Sequence, residues 1–243
     1  MRLRTQVQAL PRHAAASERL SSPKRIHVVA AAITDAQGRV LIAERPAGKH
    51  LSGRWEFPGG KLEAGEERRA GLARELREEL GLVLAGTPRP LIRLEHTYPE
   101  KHVHLDIWVV HHYRGEARGL EGQALRWVSQ KELERVDLLP ADGPIVAALR
   151  LPETLVERET AAYAIGDSAE PDGRGRLRGV RCTGLADALA ASDAGADFLV
   201  LARELPHGEL RSLCEMIPQP VYTPGIALQE AWELGASGVH LVT

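Results

Sequence analysis

The sequence is short of cysteine, of aromatic side chains and of any excess of one charge. Its 243 residues include two cysteines, Cys182 and Cys214, which are too few for a disulfide framework or a cysteine-rich zinc site. We expect two reduced thiols, as in a protein of the cytoplasm. The formal net charge is −2, from 31 Lys and Arg against 33 Asp and Glu, so the composition does not favour direct nucleic-acid binding.

Long hydrophobic runs are also absent. No apolar stretch approaches the roughly 18 residues that a membrane span needs, so we expect no membrane partner. The segment 1–24 is basic and poor in acids, but it lacks the apolar core of a secretory signal. We expect a disordered leader, or an extension upstream of the true start, with an Arg-rich transit peptide as the alternative. These absences predict a cytoplasmic location.

The most informative stretch that is present runs from Gly60 to Leu82 and reads GKLEAGEERRAGLARELREELGL. Near its end, Glu75, Glu78 and Glu79 stand at i, i+3 and i+4, which places them on one side of a helix with Cβ atoms about 5–6 Å apart. Carboxylates that close raise one another's pKa or bind a cation. Oxygen ligands of this kind select Mg²⁺ or Mn²⁺, so the spacing predicts a site for a divalent ion.

The same stretch predicts how this helix is anchored. Leu72, Leu76 and Leu80 recur at i, i+4 and i+8 and form an apolar stripe roughly 100° around the helix from the acids. Gly81 predicts a left-handed C-cap, and Gly59 with Gly60 predicts a tight turn ahead of the helix. Glutamate-rich helices more often present a solvated face, but the register of Gly60 and Glu66 with the acids argues against that interpretation.

The residues around this helix predict a mixed sheet between helices, an α/β/α sandwich, over 25–151. The apolar run Ile26–Thr34 is typical of a buried strand, and after a turn its expected partner strand is Arg39–Glu44. Three further strands and one helix are predicted at Leu91–Tyr98, His102–Tyr113, Leu125–Ser129 and Pro144–Leu151.

The pattern changes after a polar segment, 152–160, which is typical of a linker. From 161 to 243, strands alternate with helices, which predicts parallel βα units in a small, partial barrel-like domain. The strands are expected at Ala162–Ile165, Gly179–Cys182, Phe198–Leu201, Val221–Thr223 and Val239–Val242. The helices are expected at Leu185–Ala194, Glu209–Met216 and Ala227–Leu234.

The first 150 residues resemble the MutT-type Nudix hydrolases. Four segments carry the resemblance: WEFPGGKLEAGE (55–66), YPEKHVHL (98–105), GLEGQALRWVS (119–129) and LLPADGPIVAAL (138–149). The resemblance implies Mg²⁺-dependent hydrolysis of a nucleoside triphosphate to a monophosphate and pyrophosphate, with Mn²⁺ as a possible substitute. Its implied substrate is 8-oxo-dGTP. Removing this oxidised nucleotide from the pool prevents its incorporation during DNA replication, a role that is grouped with DNA repair.

The resemblance also implies roles for individual residues. The metal ligands would be the carbonyl of Gly59 and the side chains of Glu75, Glu78, Glu79 and Glu121. The phosphate and sugar side would be lined by Arg45, His50, Glu56 and Lys61, while Phe57 and Asp142 would contact the base. The proton of the attacking water would pass to Glu75 or Glu78.

Two groups of residues have competing interpretations. Asp142 stands where the family usually has asparagine: an ionised carboxylate only accepts hydrogen bonds, whereas a protonated one also donates. Its alternative role is to cap the following helix. The histidines at 102, 104, 111 and 112 are expected to be exposed strand residues rather than a metal cluster, because no ligand partners stand at suitable spacing.

The C-terminal residues resemble the second half of a thiamine phosphate synthase barrel. GVRCTGLADALAASDAGADFLVLARELP and PQPVYTPGIALQEAWELGASGVHLV carry this resemblance. The segment is too short for eight βα units, so we expect a truncated domain without synthase activity that serves as a scaffold or interaction unit. Its open edges must be covered by the first domain or by another copy, which makes self-association possible.

Two other functions remain open. One is hydrolysis of another nucleoside diphosphate derivative by the same site. The other is a non-catalytic nucleotide sensor built on the same fold, although retention of every glutamate of the motif argues against it.

Overall fold

The computed structural model describes residues 24–98, 101–156, 162–170 and 173–241, so residues 1–23 of the expected leader lie outside it. The first half contains β1 Lys24–Ile33, β2 Val40–Glu44, β3 Trp55–Glu56, β4 Gly59–Lys61, β5 Val83–Leu84, β6 Arg89–Tyr98, β7 Lys101–Val110, β8 Tyr113–Arg114 and β9 Leu125–Val128. Its helices are α1 Arg68–Leu80, α2 Gln130–Leu133, a 3₁₀ turn Pro140–Asp142 and α3 Gly143–Ala148.

The second half contains β10 Thr154–Val156, β11 Tyr163–Gly166, β12 Leu177–Cys182, β13 Phe198–Leu201, β14 Val221–Thr223 and β15 Gly238–Leu241. Its helices are α4 Leu185–Asp193, α5 His207–Met216 and α6 Leu228–Glu233. Strands β13 and β14 begin and end at the predicted residues, and β10 falls within the segment expected to be a linker. Within the described ranges, no helix has both the length and the apolar character of a membrane crossing.

The main sheet of the first half is mixed, with the order β4-β1-β7-β6. Strand β1 runs parallel to β7 and antiparallel to β4, while β6 is antiparallel to β7. The predicted pairing of β1 with β2 was wrong. After a single bridge between Thr34 and Val40, β2 leaves β1 and pairs with β3 and β9 in a separate three-stranded sheet, because adjacency in sequence does not reveal which strand edge is free.

Helices cover both faces of this sheet. Leu72, Leu76 and Leu80 of α1 are fully buried against one face, as predicted, and α3 packs Ile145 against the other. Gly81 ends α1 with φ 70°, which confirms the left-handed cap. A Cβ on Gly71 would lie 2.3 Å from Leu62 Cδ2, so close packing explains this glycine inside the helix.

The second half is a six-stranded parallel sheet with the order β10-β15-β14-β13-β12-β11. In a flat sheet, β10 and β11 would be separated by five strand spacings, about 24 Å. Instead, the hydroxyl of Tyr163 in β11 lies 3.3 Å from both the backbone N and O of Val156 in β10. The sheet is therefore strongly curled, and we call it the half-barrel: the side chain of Tyr163 reaches from one edge strand to the other, although no ladder pairs β10 with β11 among the described residues. The rings of Tyr163, Phe198 and Tyr222 fill its interior.

The half-barrel covers the exposed edge of the first sheet. The backbone N–H of Arg93 in β6 donates to Pro218 O at 2.8 Å, and Ser237 Oγ donates to Leu91 O at 3.2 Å. An uncovered strand edge would invite pairing with other chains. Among the described strands, β6 is thus the edge that the second half protects.

Candidate active site

Two glycines bring the acidic helix against the first sheet. Gly59 has φ 151°, and a Cβ there would lie 2.1 Å from Val29 O, so only glycine fits. Its N–H donates to Glu79 Oε2 at 3.2 Å. A Cβ on Gly60 would lie 2.3 Å from Glu75 Oε2, so the Glu75 carboxylate rests directly on the Gly60 backbone. The predicted tight turn at these two residues was wrong: both lie in strand β4, and their lack of side chains lets the two carboxylates approach the sheet closely.

Arg74 holds the acidic helix and the loop before it together through hydrogen bonds. Its guanidinium donates to Glu66 through Nε at 2.9 Å and Nη2 at 2.8 Å, and to Glu75 Oε1 through Nη1 at 2.9 Å. Nη2 also donates to Lys61 O at 3.0 Å. These bonds lower the pKa of Glu66 to about 2. Arg74 thus ties the loop before α1 to the acids on it.

Glu78 does not join the other two acids. Its side chain is 56% exposed, against 13% for Glu75, and it accepts a hydrogen bond from Arg74 Nη1 at 3.1 Å. It does not line the cavity into which Glu75 and Glu79 point. Of the three glutamates singled out by spacing, the structure brings together two.

Glu79 is partly buried and surrounded by other carboxylates. Burial raises its pKa to about 7, with further contributions from the negative charges of Glu121, Glu75 and Glu56, while the Gly59 N–H opposes the shift. A divalent cation would relieve this repulsion, so the donor set fits Mg²⁺ or Mn²⁺. Within the described residues, no three His, Cys, Asp or Glu side chains already stand at metal-ligand spacing. The carboxylates would have to draw together around an ion.

A cavity of about 540 Å³ extends from these acids to the first turn of α3. That volume falls within the about 300–1,000 Å³ of typical small-molecule sites. Every residue expected at the site except Glu78 lines it: Arg45, His50, Glu56, Phe57, Gly59, Lys61, Glu75, Glu79, Glu121 and Asp142.

Asp142 occupies the end of the cavity away from the helix acids. It is 3% exposed, and its Oδ2 has no hydrogen-bond partner among the described residues. Burial, followed by the negative charge of Glu56, raises its pKa to about 8, although Arg45 and the Phe57 backbone oppose this. The helix-capping alternative is wrong, because the Asp142 side chain makes no capping bond to α3. Its Oδ2 is therefore available to a ligand.

Arg45 pairs with Glu56 and orders the neighbouring loop. Its Nη1 donates to Glu56 Oε2, and its Nε donates to His50 O at 2.6 Å. Burial raises the pKa of Glu56, while the Arg45 charge lowers it. A basic group thus lies beside a carboxylate in the wall of the cavity.

Sequence reasoning missed Lys49, which lines the same cavity and lies 3.5 Å from Glu121 Oε2. The available signal was its position between Arg45 and His50 in one short loop. Away from the cavity, His102 lies 2.9 Å from Thr97 Oγ1 and His104 lies 3.1 Å from Glu95 Oε1. Both are partly exposed strand residues.

Comparison with known proteins places this site in context. The NUDIX domain family matches residues 29–148. The chain is 35% identical to an 8-oxo-dGTP diphosphatase of Escherichia coli over 130 residues, which are 52% of this chain and 98% of that protein. It is 41% identical to a CTP pyrophosphohydrolase of E. coli over 51% of this chain and 91% of that protein.

A solved structure, that of the E. coli ORF135 protein, is 40% identical with a TM-score of 0.47, and the match covers 52% of this chain and 89% of that one. The chain therefore spans nearly the whole length of these relatives, and about half of it lies beyond each match.

Proposed function

From the premise that this chain belongs to the Nudix family, we propose that it hydrolyses a nucleoside triphosphate, preferentially 8-oxo-dGTP, to the monophosphate and pyrophosphate. The observation that carries the proposal is one cavity that is lined by the acids Glu75 and Glu79 and also by Asp142, whose buried Oδ2 has no hydrogen-bond partner among the described residues. Several relatives bear the name 8-oxo-dGTP diphosphatase.

The residues of the acidic end would hold Mg²⁺ through the carbonyl of Gly59 and the carboxylates of Glu75, Glu79 and Glu121. The bound ion would neutralise phosphate charge and lower the pKa of the attacking water. Glu75 is the better placed base, since it faces the cavity while Glu78 is largely exposed. Arg74 Nη1 donates to both carboxylates, at 2.9 Å to Glu75 and 3.1 Å to Glu78, so exposure and not this bond separates the two candidates. Comparing the kcat of Glu75→Gln and Glu78→Gln distinguishes the two roles.

The remaining cavity residues would bind and orient the nucleotide. Arg45 and Lys61 supply positive charge to the phosphates, with His50 and Glu56 beside them. Phe57 and Asp142 border the base. Oxidation of guanine at C8 turns N7 from an acceptor into an N–H donor beside the O6 acceptor. A protonated Asp142 accepts from one and donates to the other, which favours the oxidised base.

A substrate panel tests the proposal. Turnover of 8-oxo-dGTP, dGTP, CTP and ADP-ribose with Mg²⁺ should be highest for 8-oxo-dGTP, with monophosphate and pyrophosphate as products. Preference for ADP-ribose would replace this proposal with the nucleoside diphosphate alternative. Binding without hydrolysis in either Mg²⁺ or Mn²⁺ would favour a sensor.

CTP is the second candidate substrate, because the chain is 41% identical to a protein named CTP pyrophosphohydrolase. Cytosine also presents an amino donor beside a ring acceptor, which a neutral Asp142 can match. Equal kcat/KM for CTP and 8-oxo-dGTP would show that the site recognises the donor–acceptor edge that both bases share, and not the purine ring system.

Replacing Asp142 with asparagine should abolish the pH dependence of nucleotide binding above neutrality. With a pKa of about 8, the wild-type carboxyl group is largely protonated at neutral pH, and it loses its donor as the pH rises through that value. The loss of one hydrogen bond to the base should raise KM about tenfold by pH 9.5, at about 1.5 kcal/mol per bond. The amide keeps its donor, so KM of Asp142→Asn should stay flat over this range.

Asp137→Asn is the matched control, since Asp137 is 73% exposed and pairs only loosely with Arg54, at 3.6 Å. Its KM profile should follow that of the wild type. If KM of Asp142→Asn rises with pH as that of the wild type does, Asp142 does not contribute to base recognition.

The remaining assignments concern the whole chain. We propose a Nudix domain over 25–151 and a domain resembling a truncated thiamine phosphate synthase over 161–243, in a cytoplasmic protein that does not bind nucleic acid. Self-association through the half-barrel is part of this proposal and is tested by sedimentation of the full chain. A strictly monomeric protein at micromolar concentration would contradict it.

A further inference from the structure

We propose that Lys49 is a counter-ion that exchanges partners during the reaction: it neutralises Glu121 when no divalent ion is bound, and it binds the substrate's phosphates when ion and nucleotide are present. This inference rests on the proposed hydrolase function and adds a phosphate-binding residue to it. Lys49 lies outside the residues that the family resemblance assigns to the site.

The first support is the position of Lys49. Its Nζ lies 3.5 Å from Glu121 Oε2, across a sequence separation of 72 residues. Both side chains line the same pocket wall as Glu56, Gly59 and Glu79, and both are 50% exposed. A pair that faces solvent is held weakly, so either partner can be replaced by a stronger one.

The second support is the distribution of charge. Arg45 pairs with Glu56, and Arg74 pairs with Glu75 as well as with Glu66 and Glu78, so two of the five carboxylates that line the cavity lie beside an arginine. Lys49 is the basic group that the structure places on Glu121. A divalent ion at Glu79 and Glu121 would repel this ammonium, whereas a polyphosphate would attract it.

The third support is the loop that carries Lys49. Its ends are joined by a hydrogen bond from Arg45 N to Arg54 O at 2.8 Å, and Gly53 N donates to Arg45 O at 3.0 Å. Leu51 has φ 61°, the one positive φ of a non-glycine residue within the described residues. The loop backbone is thus closed on itself, and the flexible four-carbon stem of lysine supplies the movement.

Exchange of partners predicts effects of opposite sign in Lys49→Met, which keeps the length of the side chain but not its charge. Without nucleotide, Mn²⁺ should bind about three- to fivefold more tightly, because the competing ammonium is gone. With nucleotide, KM should rise about tenfold, because a charged hydrogen bond to phosphate is lost. Mn²⁺ affinity is read by electron paramagnetic resonance, and KM by pyrophosphate release.

The controls separate charge from shape. Lys49→Arg should restore KM to within about twofold of the wild type, since it keeps the charge. Lys131→Met, which changes an exposed side chain of α2, should change neither quantity. The thermal unfolding midpoints of the Lys49 variants should match that of the wild type, because the pair is half exposed.

The Mn²⁺ affinity and the KM of Lys49→Met together decide whether the exchange occurs. Tighter Mn²⁺ binding with a higher KM in Lys49→Met supports the exchange. Unchanged or weaker Mn²⁺ binding overturns it, as does an unchanged KM. If the wild type hydrolyses no nucleotide at all, the proposed function fails, whereas an active wild type that Lys49→Met matches in both measurements refutes only the role of Lys49.

Discussion

Replacing Glu79 with glutamine should lower kcat about a thousandfold, the largest catalytic loss expected for a single substitution in this chain. A thousandfold corresponds to about 4 kcal/mol of transition-state stabilisation, the several kcal/mol that a bound metal ion supplies. Glu79 faces three other carboxylates and has a pKa raised to about 7, so it carries the negative charge most in need of a cation. The rate is measured as pyrophosphate release at saturating Mg²⁺.

The same substitution should leave the fold intact. Glutamine has the size of glutamate, and its amide oxygen can accept the bond that Gly59 N–H donates at 3.2 Å. Loss of activity with an unchanged or higher unfolding midpoint would therefore reflect lost metal binding. Glu116→Gln, whose wild-type carboxylate is 78% exposed, is the control and should retain full activity.

Glu79 also predicts how the site responds to acid. The metal binds the ionised carboxylate, so proton and metal compete for it. Because the pKa of Glu79 is about 7, Mg²⁺ affinity in the wild type should fall as the pH drops below neutrality. The Glu79→Gln variant should show weaker affinity with a flatter pH profile. If it binds Mg²⁺ and turns over like the wild type, the acidic end of the cavity is not the metal site.

The acidic helix shows what local spacing can and cannot predict. The Leu72, Leu76 and Leu80 stripe and the Gly81 cap depend on helix geometry alone, and both were correctly anticipated. The position of Glu78 depends on the same geometry, and in the structure its side chain lies outside the cavity. At 100° per residue, Glu75 and Glu79 lie about 100° and 60° from Leu76, whereas Glu78 lies about 160° away, almost opposite the buried stripe. The spacing therefore already placed Glu78 on the solvent side.

Contacts between distant parts of the chain left no comparable signal. Tyr163 reads as one aromatic in a short apolar strand, yet its hydroxyl joins the two edges of the half-barrel. Strand β10 lies in a polar segment that resembles a linker. Its pairing with β15 depends on residues more than 80 positions away in sequence. That Asp142 and Glu79 line the same cavity was predictable only through the family resemblance, because they come from distant segments of the chain.

Arg89 is the clearest of these long-range contacts. From its sequence it is one charged residue at the start of a strand, and such residues are usually exposed. In the structure it is 4% exposed, and no carboxylate pairs with it among the described residues. Its Nε donates to Ser237 O at 2.7 Å, and its Nη2 donates to Tyr222 Oη at 2.9 Å. One guanidinium of the first sheet thus satisfies polar atoms of the second half.

Replacing Arg89 with methionine should lower the free energy of unfolding by about 3 kcal/mol, the largest stability loss expected outside the hydrophobic cores. Methionine fills much of the volume but leaves Ser237 O and Leu151 O without this donor, whereas Pro152 O keeps its bond from Tyr222 Oη; each unsatisfied buried group costs about 1–3 kcal/mol. In a chain of this size, the loss lowers the unfolding midpoint by about 6–12 °C. Differential scanning calorimetry of the full chain measures it.

Arg126→Met is the matched control, because Arg126 is 50% exposed and lies 3.8 Å from Glu132, so its loss should cost less than about 0.5 kcal/mol. Arg89 also predicts the shape of the wild-type transition. If its bonds hold the halves together, the chain should unfold in one cooperative step. Two separate transitions, or an Arg89→Met midpoint equal to that of Arg126→Met, would contradict this. Either result would mean that the Nudix domain folds independently and gains no stability from the half-barrel. A single transition whose midpoint is lowered in Arg89→Met would mean that the Nudix domain depends on the half-barrel for its stability. The shorter relatives consist almost entirely of the Nudix domain, so this dependence would distinguish the present chain from them.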